Sequence, residues 1–201
     1  GTTMALKFQY NKTFLQQLRK ELAVRVNALP TLQAKESALR VEVKKAHNLV
    51  EDVRKRLEEM ERDLQRTNRL WVEFPDGLVR IKDVRIGIKK IAGVKTPVFE
   101  GVMVEVSPFS LFSEPAWVPE GVELLKKAAS LRIERDVAIK KVEILEYARK
   151  KTTQKVNLYE KVQIPAYEEG IRKIKRYLED KDNLAKSSQK ILKGRLAGAA
   201  A

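Results

Sequence analysis

The residues Ala92-Gly93-Val94-Lys95-Thr96 are the stretch that most resembles a phosphate-binding loop, in which backbone amides and a lysine hold a nucleotide. Such a loop needs a glycine directly before the lysine and another glycine earlier, whereas valine precedes Lys95 here. The β-branched runs on both sides instead predict a turn between two strands. We therefore expect no nucleotide site at this position.

Metal and acid–base chemistry are equally unsupported. His47 is the only histidine, and the chain of 201 residues contains no cysteine, so histidine clusters, thiolate zinc sites and cysteine nucleophiles are excluded. Carboxylates alternate with basic residues, as in Glu51, Lys55, Glu58 and Arg62, at the spacing of exposed intrahelical ion pairs. The sequence predicts no catalytic residues, no metal and no cofactor, and hence a protein that is not an enzyme.

Apolar residues recur at alternating spacings of three and four residues between Leu15 and Leu64. The two rows are Leu15, Leu22, Leu29, Glu36, Val43, Val50, Leu57 and Leu64, and Leu18, Arg25, Leu32, Leu39, Ala46, Val53 and Met60. Only Glu36 and Arg25 are polar, and a period held this long indicates a coiled-coil helix. Pro30 lies inside the helix and predicts a kink.

The last segment has the same period. Its row is Leu124, Ala128, Leu131, Ala138, Val142, Leu145, Val156 and Tyr159, with Arg135, Arg149 and Thr152 as polar exceptions. The row then slips by one residue and resumes at Tyr167, Ile171, Ile174, Leu178, Ala185 and Leu192. The slip lies beside Pro165 and Gly170, which predicts a local bend or a loosened supercoil. The polar row positions either specify the pairing register or face a partner.

The middle of the chain has a period of two. Val84–Ile88 alternates apolar with small or polar residues, and Val102–Val106 alternates less cleanly. The two β-branched runs predict two antiparallel strands. A segment with Gly93, Pro97 and Gly101 separates them. A loop from Ser107 to Gly121 with Phe109, Phe112 and Trp117 follows, and Pro119 suits the first turn of the next helix.

The expected fold is mainly α: a long antiparallel two-helix coiled coil with a small β-hairpin-containing head inserted between the helices. Each helix is unstable alone and must bury its row against the other. The predicted segments are 8–70 for the first helix, 71–118 for the head with its loop, and 119–195 for the second helix.

The pairing register can also be predicted by placing both termini at one end. Leu15 then lies near Leu192, and Leu64 lies near residue 143. The stretch from about 120 to 140 would extend past the first helix and pack against the head.

The formal net charge of +14 is concentrated in the two outer segments. Residues 1–70 carry 15 basic and 9 acidic side chains (+6), residues 71–118 carry 6 and 6 (zero), and residues 119–201 carry 20 and 12 (+8). This excess favours an acidic partner, although two soluble charged helices would show the same pattern. No aromatic platform or DNA-reading module accompanies it, so nucleic acid is not expected. The apolar runs fall far short of the roughly 20 residues that span a bilayer.

Four stretches resemble the D-subunit family of the V-type (A-type) rotary ATPases. They are Asn11–Leu18, Leu29–Leu39, Ile91–Pro97 and Thr152–Pro165, and the resemblance covers about residues 8 to 195. The last stretch, with its Val-Asn, Glu and Ile-Pro at these spacings, is the most specific of the four.

The resemblance implies a non-catalytic central-stalk protein that turns inside a hexamer of A and B subunits. Its implied partners are those subunits, the F subunit, and the C (or d) subunit that links to the membrane proteolipid ring. It also implies a rotor role in ion transport or ATP synthesis. The implied location is cytoplasmic, peripheral on the cytoplasmic face of the membrane, without direct insertion.

The family position implies two partner-facing sets of residues. The hexamer-facing set is Lys12, Arg19, Arg25, Lys186, Lys190 and Lys193. The set facing the F subunit is Val84, Ile86, Ile88, Val102, Val104 and Val106. Two other classes fit the predicted shape: a prefoldin-like coiled-coil chaperone, which would form its own multimer through its strands, and a generic coiled-coil tether.

Overall fold

The computed structural model describes residues 7, 9–67, 71, 74, 77–108 and 116–201. Its elements are helix α1 (Lys12–Arg66), strands β1 (Val79–Ile91) and β2 (Val94–Val106), helix α2 (Val118–Asn157), a π-helical segment (Leu158–Gln163) and helix α3 (Ile164–Ala199). The predicted fold class is confirmed: the chain is mainly helical, with an antiparallel two-stranded hairpin between α1 and α2. The chain divides into two compact units, which we call the end unit (residues 1–35 and 152–201) and the hairpin unit (residues 36–151).

The predicted core row of α1 is confirmed along its whole length. Each of its positions is buried or half-buried, including the polar residues Arg25 and Glu36. The helix continues through Pro30, which lies on its exposed side. A proline there does not end the helix, because packing of the apolar row supports the turns on both sides.

In the end unit, α1 packs antiparallel to α3. Leu15 and Leu18 form a buried cluster with Tyr167, Ile171 and Ile174. The predicted pairing of Leu15 with Leu192 is therefore wrong. Ala185 and Leu192, which the sequence placed in the core row, are exposed instead.

In the hairpin unit, α1 packs antiparallel to α2. Two ion pairs cross between the helices, Arg56 to Glu134 at 3.1 Å and Glu61 to Arg132 at 3.6 Å. Leu64 lines a shallow groove with Leu125, so the predicted placement near residue 143 is also wrong. The stretch of α2 around residue 132 pairs with α1 rather than extending past it.

Both register errors have the same physical cause. Heptad rows repeat every seven residues, so sliding one helix along the other by a heptad again brings apolar residues face to face. The apolar pattern alone therefore leaves several registers open, and the specific polar and aromatic contacts select among them.

The hairpin is longer than predicted. Its strands have 13 residues each, with Pro97 and Gly101 inside β2 rather than in a connecting loop. Only Ala92 and Gly93 form the turn, with φ of 49° and 79°. Positive φ at both central residues is the signature of a type I′ turn, whose twist matches that of paired strands. The stretch that resembles a phosphate loop is thus a hairpin turn.

The hairpin lies along the helices of its unit. At its tip, Ile91, Ala92 and Val94 pack against a buried cluster, which consists of Leu39, Ala46, Val50, Ala138, Val142 and Leu145. Further along β2, Pro97 and Phe99 line a groove with Val137 and Lys141 of α2. The prediction that the stretch from about 120 to 140 packs against the hairpin is correct in this respect.

An aromatic cluster joins the end of α1 to the start of α2. The rings of Trp71 and Trp117 meet edge to face, with 5.1 Å between their centroids, and Phe74 contacts both. Pro119 is the second residue of α2, as predicted. Phe109 and Phe112 lie outside the described residues.

Replacing Gly93 with alanine should destabilise the hairpin. The new Cβ would meet no other atom within 4 Å, so the penalty comes from the backbone alone. A left-handed conformation costs an L-residue about 1–2 kcal/mol. Hydrogen exchange of the hairpin amides measures this loss.

The control is Gly194→Ala on the exposed surface of α3, where a Cβ also meets open space. Alanine there should raise stability by up to about 1 kcal/mol, because the position is helical. Equal effects of the two substitutions would contradict the assignment of the turn.

Candidate partner-binding surfaces

The α3 tail, residues 179–199, is exposed at every position. Its large apolar side chains are Leu184, Ile191, Leu192 and Leu196, with exposed fractions of 70%, 59%, 59% and 62%. At about 100° per residue these four side chains fall on one face of the helix. The α3 tail thus has a broad apolar face, and unlike the apolar faces elsewhere in this chain it is exposed.

Basic residues occupy the opposite face of the α3 tail. Lys186, Lys190 and Lys193 are all exposed, and Lys186 forms an i,i+4 ion pair with Asp182 at 3.2 Å. Residues 181–201 carry five basic side chains and one acidic side chain, a net charge of +4. An apolar row backed by this charge suits a partner surface that is apolar in part and acidic in part.

The predicted hexamer-facing residues all belong to the end unit. Lys12 and Arg19 are exposed near the start of α1, as are the three lysines of the α3 tail. Arg25 differs, since only 17% of its side chain is exposed and it points into the interface between α1 and the facing helix.

Four side chains surround the guanidinium of Arg25. Its Nε donates a hydrogen bond to Oε1 of Gln163 at 2.6 Å, and Nη1 donates to Oε2 of Glu21 at 2.6 Å. Its Cζ lies 4.8 Å from the ring centroid of Tyr167 and 5.7 Å from that of Tyr159. Stacking on aromatic faces and a fork of directed donors are what arginine provides and lysine does not.

The π-helical segment Leu158–Gln163 lies where the sequence row slips by one residue. The backbone N–H of Ile164 donates to the carbonyl of Tyr159, five residues earlier. Pro165 follows directly and has no N–H to complete the ordinary i→i−4 pattern. A wider turn accommodates one extra residue, so the slip in the row is confirmed as a single π turn.

The hairpin carries the second exposed apolar surface. Ile81, Ile86 and Ile88 of β1 have exposed fractions of 53%, 51% and 76%. In the described part of the chain β1 pairs only with β2, so its other edge presents unpaired backbone groups. We call these three isoleucines, with that edge, the β1 surface.

The six residues predicted to face the F subunit do not form one exposed group. Ile86 and Ile88 are exposed, whereas Val84, Val102, Val104 and Val106 are half-buried. Val102 and Val104 line a groove with residues 126, 127 and 130 of α2. Val102 and Val104 thus face α2 of their own unit. The large apolar side chains that stay exposed on the hairpin are Met103 of β2 and the three isoleucines of β1.

The remaining polar residues in the rows have local partners. Glu36 pairs with Arg40 at 2.7 Å, and Arg135 pairs with Asp136 at 3.1 Å. His47 Nε2 lies 2.7 Å from Oε1 of Glu146 across the two helices of the hairpin unit. Both side chains are about half exposed.

No group of three or more potential metal ligands occurs among the residues that the structure describes. Within the same residues, none of the helices is both long enough and apolar enough to cross a bilayer.

Sequence reasoning missed two features. Gln163, Tyr159 and Tyr167 were not recognised as partners of Arg25, although an arginine in a core row is a sign that polar or aromatic groups must lie opposite. Leu192 of the α3 tail was assigned to the core row because its spacing matches that of the buried rows, and the exposed residues Leu184, Ile191 and Leu196 were not singled out.

These surfaces define a helical protein whose exposed faces suit protein partners. The model of the ATP synthase D-subunit family matches residues 14–194, so the chain belongs to this family of non-catalytic stalk proteins. The D subunit of the V-type ATP synthase from Borreliella burgdorferi is 31% identical over 192 residues, which cover 94% of this chain and 95% of that protein. The protein of the same name from Chlamydia abortus is 28% identical over 76% of both chains.

The observed register predicts very different effects for substitutions at two α3 residues that the sequence placed in the same row. Ile174→Ala removes a fully buried side chain and should lower the free energy of unfolding by about 2–5 kcal/mol. Leu192→Ala changes an exposed side chain and should stay within about 0.5 kcal/mol. Thermal or denaturant unfolding of the two variants measures both values. A loss at Leu192 equal to that at Ile174 would restore the register predicted from the sequence.

Proposed function

We propose that this chain is the central rotor shaft of its V-type ATP synthase complex. It transmits torque between a hexamer of A and B subunits, which turns over ATP, and the proteolipid ring in the membrane, in ion transport or ATP synthesis. The observation that carries the proposal is the exposed apolar face of the α3 tail in a member of the D-subunit family.

The α3 tail has the properties of a surface that a sleeve of other subunits covers. Four large apolar side chains stay exposed in the isolated chain, which is unfavourable unless a partner buries them. The basic face behind them supports attraction to acidic groups on that partner. A hexamer that surrounds the α3 tail would meet both faces together, whereas a partner that packs on one side would meet only one.

Paired helices suit the transmission of torque. In each unit, a packed row between two antiparallel helices holds side chains against each other on both helices. A twist applied to one helix must then displace its neighbour, because close-packed interiors transmit strain. An isolated helix lacks this support and depends on its own hydrogen bonds alone.

The F subunit is the proposed partner of the β1 surface. The three isoleucines of this surface are exposed next to a strand edge that is open for pairing. A partner could add a strand to this edge, so that backbone hydrogen bonds provide affinity and the isoleucines provide specificity. The sequence prediction placed residues of both strands at the contact with the F subunit. The proposed contact is now limited to β1, because β2 packs on α2.

Family membership supports the remaining parts of the proposal. The C (or d) subunit would connect the chain to the proteolipid ring, and the complex would lie on the cytoplasmic face of the membrane, with this chain peripheral to it. The cationic end unit would serve in the hexamer rather than in contact with nucleic acid.

The test is reconstitution with purified A, B and F subunits, followed by sizing and an ATPase assay. One copy of the chain should enter each hexamer of A and B, recruit F and alter turnover. A chain that ignores these subunits, forms its own multimer and suppresses aggregation of an unfolded client would overturn the proposal in favour of a prefoldin-like chaperone. A chain that binds neither the subunits nor a client would leave a tether as its role.

Replacing Lys186, Lys190 and Lys193 together with glutamine should weaken assembly with the hexamer in a salt-dependent way. Three surface pairs of roughly 0.5 kcal/mol each correspond to about a tenfold rise in Kd at low ionic strength. The rise should shrink as the Debye length falls from about 30 Å at 0.01 M to about 3 Å at 1 M salt. Titration at several salt concentrations measures it.

The matched control replaces three exposed lysines of the hairpin unit with glutamine. They are Lys44, Lys55 and Lys150. It removes the same charge and should change Kd less than the tail variant does. An equal rise for the tail variant at every salt concentration would contradict an electrostatic role for the α3 tail.

Placing aspartate at both Ile86 and Ile88 should abolish binding of the F subunit. Both side chains are exposed, so the melting temperature should remain close to that of the parent. Calorimetric titration with F should show at least a tenfold loss, because two charges would enter an apolar contact. Val41→Asp on the exposed side of α1 serves as the control and should bind F normally. Normal binding by the double variant would move the F contact away from β1.

A further inference from the structure

The π segment changes which residues of α3 face α1. Thr152, Val156 and Tyr159 continue the row of α2, and an unbroken α-helix would continue it through Gly170 and Lys173. One extra residue in the turn lets Tyr167, Ile171 and Ile174 take the core positions instead. The end unit therefore owes its apolar interface to the π turn.

The π turn also makes a place for Arg25. Arginine occupies a core-row position of α1 where the other row members are mostly apolar. Its Nε donates a hydrogen bond to Gln163, the last residue of the π segment. Its guanidinium lies over the ring of Tyr159, which belongs to the segment, and over the ring of Tyr167, which belongs to the turn that follows. Each of these contacts across the helix interface is thus to the π segment or to the turn that follows it.

We infer that Arg25 and the π segment form a single coupled lock that fixes the pairing of α1 with α3. The apolar rows permit several registers, and one polar residue at a core position can select among them because other registers leave it unpaired. Glu21 supplies the countercharge at 2.6 Å from the same helix, one turn earlier, and does so in any register. What the observed pairing adds is the amide oxygen of Gln163 and the aromatic faces of the two tyrosines. Arg25 is therefore a positioning residue, not a surface residue of the partner interface.

The lock has a consequence for the α3 tail, and this consequence rests on the proposed function. If the π turn became an ordinary α turn without loss of a residue, α3 would turn by about 100° about its axis relative to α1. The apolar row and the basic face of the α3 tail would turn with it and present different faces to the surrounding subunits. The lock itself concerns the isolated chain and can be tested there.

Deletion of Lys161 is the central variant, because this exposed residue lies within the π segment. Removing one residue restores a continuous heptad row from Tyr159 to Tyr167 and Ile171, so an ordinary α-helix can form without losing the apolar core. What the deletion removes is the wide turn that Arg25 uses. The second variant is R25L, which keeps a core-sized side chain and removes the guanidinium.

The experiment is a double-mutant cycle on the melting temperature of the whole chain. Deletion of Lys161 should lower the melting temperature by about 5 °C in the parent and should leave or raise it in the R25L background. In the R19L background, which removes an exposed arginine of the same helix, the deletion should act as it does in the parent. If R25L does not fold, R25Q takes its place in the cycle. Equal shifts in all three backgrounds would overturn the inference.

The distance between labels on α1 and α3 reports the pairing register itself. A contact that only adds stability would leave this distance unchanged when it is removed. The chain contains no cysteine, so spin labels can be attached at Lys20→Cys on α1 and Lys175→Cys on α3, both exposed. The parent and R19L should give the same single distance, and R25L should give a second or shifted distance. An unchanged single distance in R25L would overturn the lock, and neither result depends on whether the chain acts as a shaft.

Discussion

Each unit depends on one interaction: an apolar row of α1 is buried against an apolar row of the facing helix in a single register. Within the end unit this places Leu15 and Leu18 against Ile171 and Ile174, and within the hairpin unit it builds the cluster around Leu39 and Leu145. The tip of the β-hairpin then rests on that second cluster, so a strand pair that would be marginal alone gains a hydrophobic support. The same register leaves the α3 tail exposed. Helix α1 begins at Lys12, and Leu178 is the last residue of α3 that packs against the buried cluster.

Much of this fold is readable from the sequence, because the helical period survives in almost every row position. The pairing register is not readable, since a repeating pattern looks the same after a shift of one heptad. The strands were predicted too short because Pro97 and Gly101 normally interrupt a strand. A strand at the edge of a sheet tolerates proline, and β2 has a pairing partner on one side only among the described residues. Ile86 and Ile88 were part of the predicted alternation, whereas Ile81 lay outside the predicted strand. The difference between these exposed isoleucines and the half-buried valines of β2 comes from the packing of β2 on α2, which the alternation does not show.

Polar residues in the rows carry the information that the apolar residues lack. An arginine at a core position is unfavourable unless its charge and donors are satisfied, and Arg25 has a carboxylate, an amide and two aromatic rings around it. Its contacts from the facing helix come from the π segment and the turn that follows it, and the same segment brings Tyr167, Ile171 and Ile174 to the interface. The one-residue slip in the row beside Pro165 interrupts the sequence pattern of one helix, and Arg25 interrupts that of the other. The structure brings these two interruptions into contact.

Exposed apolar surface connects the fold to the function of the family. The chain hides its apolar rows wherever it has a second helix to do so, and among the described residues it leaves two regular surfaces uncovered, the α3 tail and β1. Both are regular elements with continuous spacing rather than scattered side chains, so each can present several contacts to one partner at once. The basic charge accompanies the first surface, while the second offers an open strand edge. Different chemistry on the two surfaces favours different partners, which agrees with the two contacts proposed above, one with the hexamer and one with the F subunit.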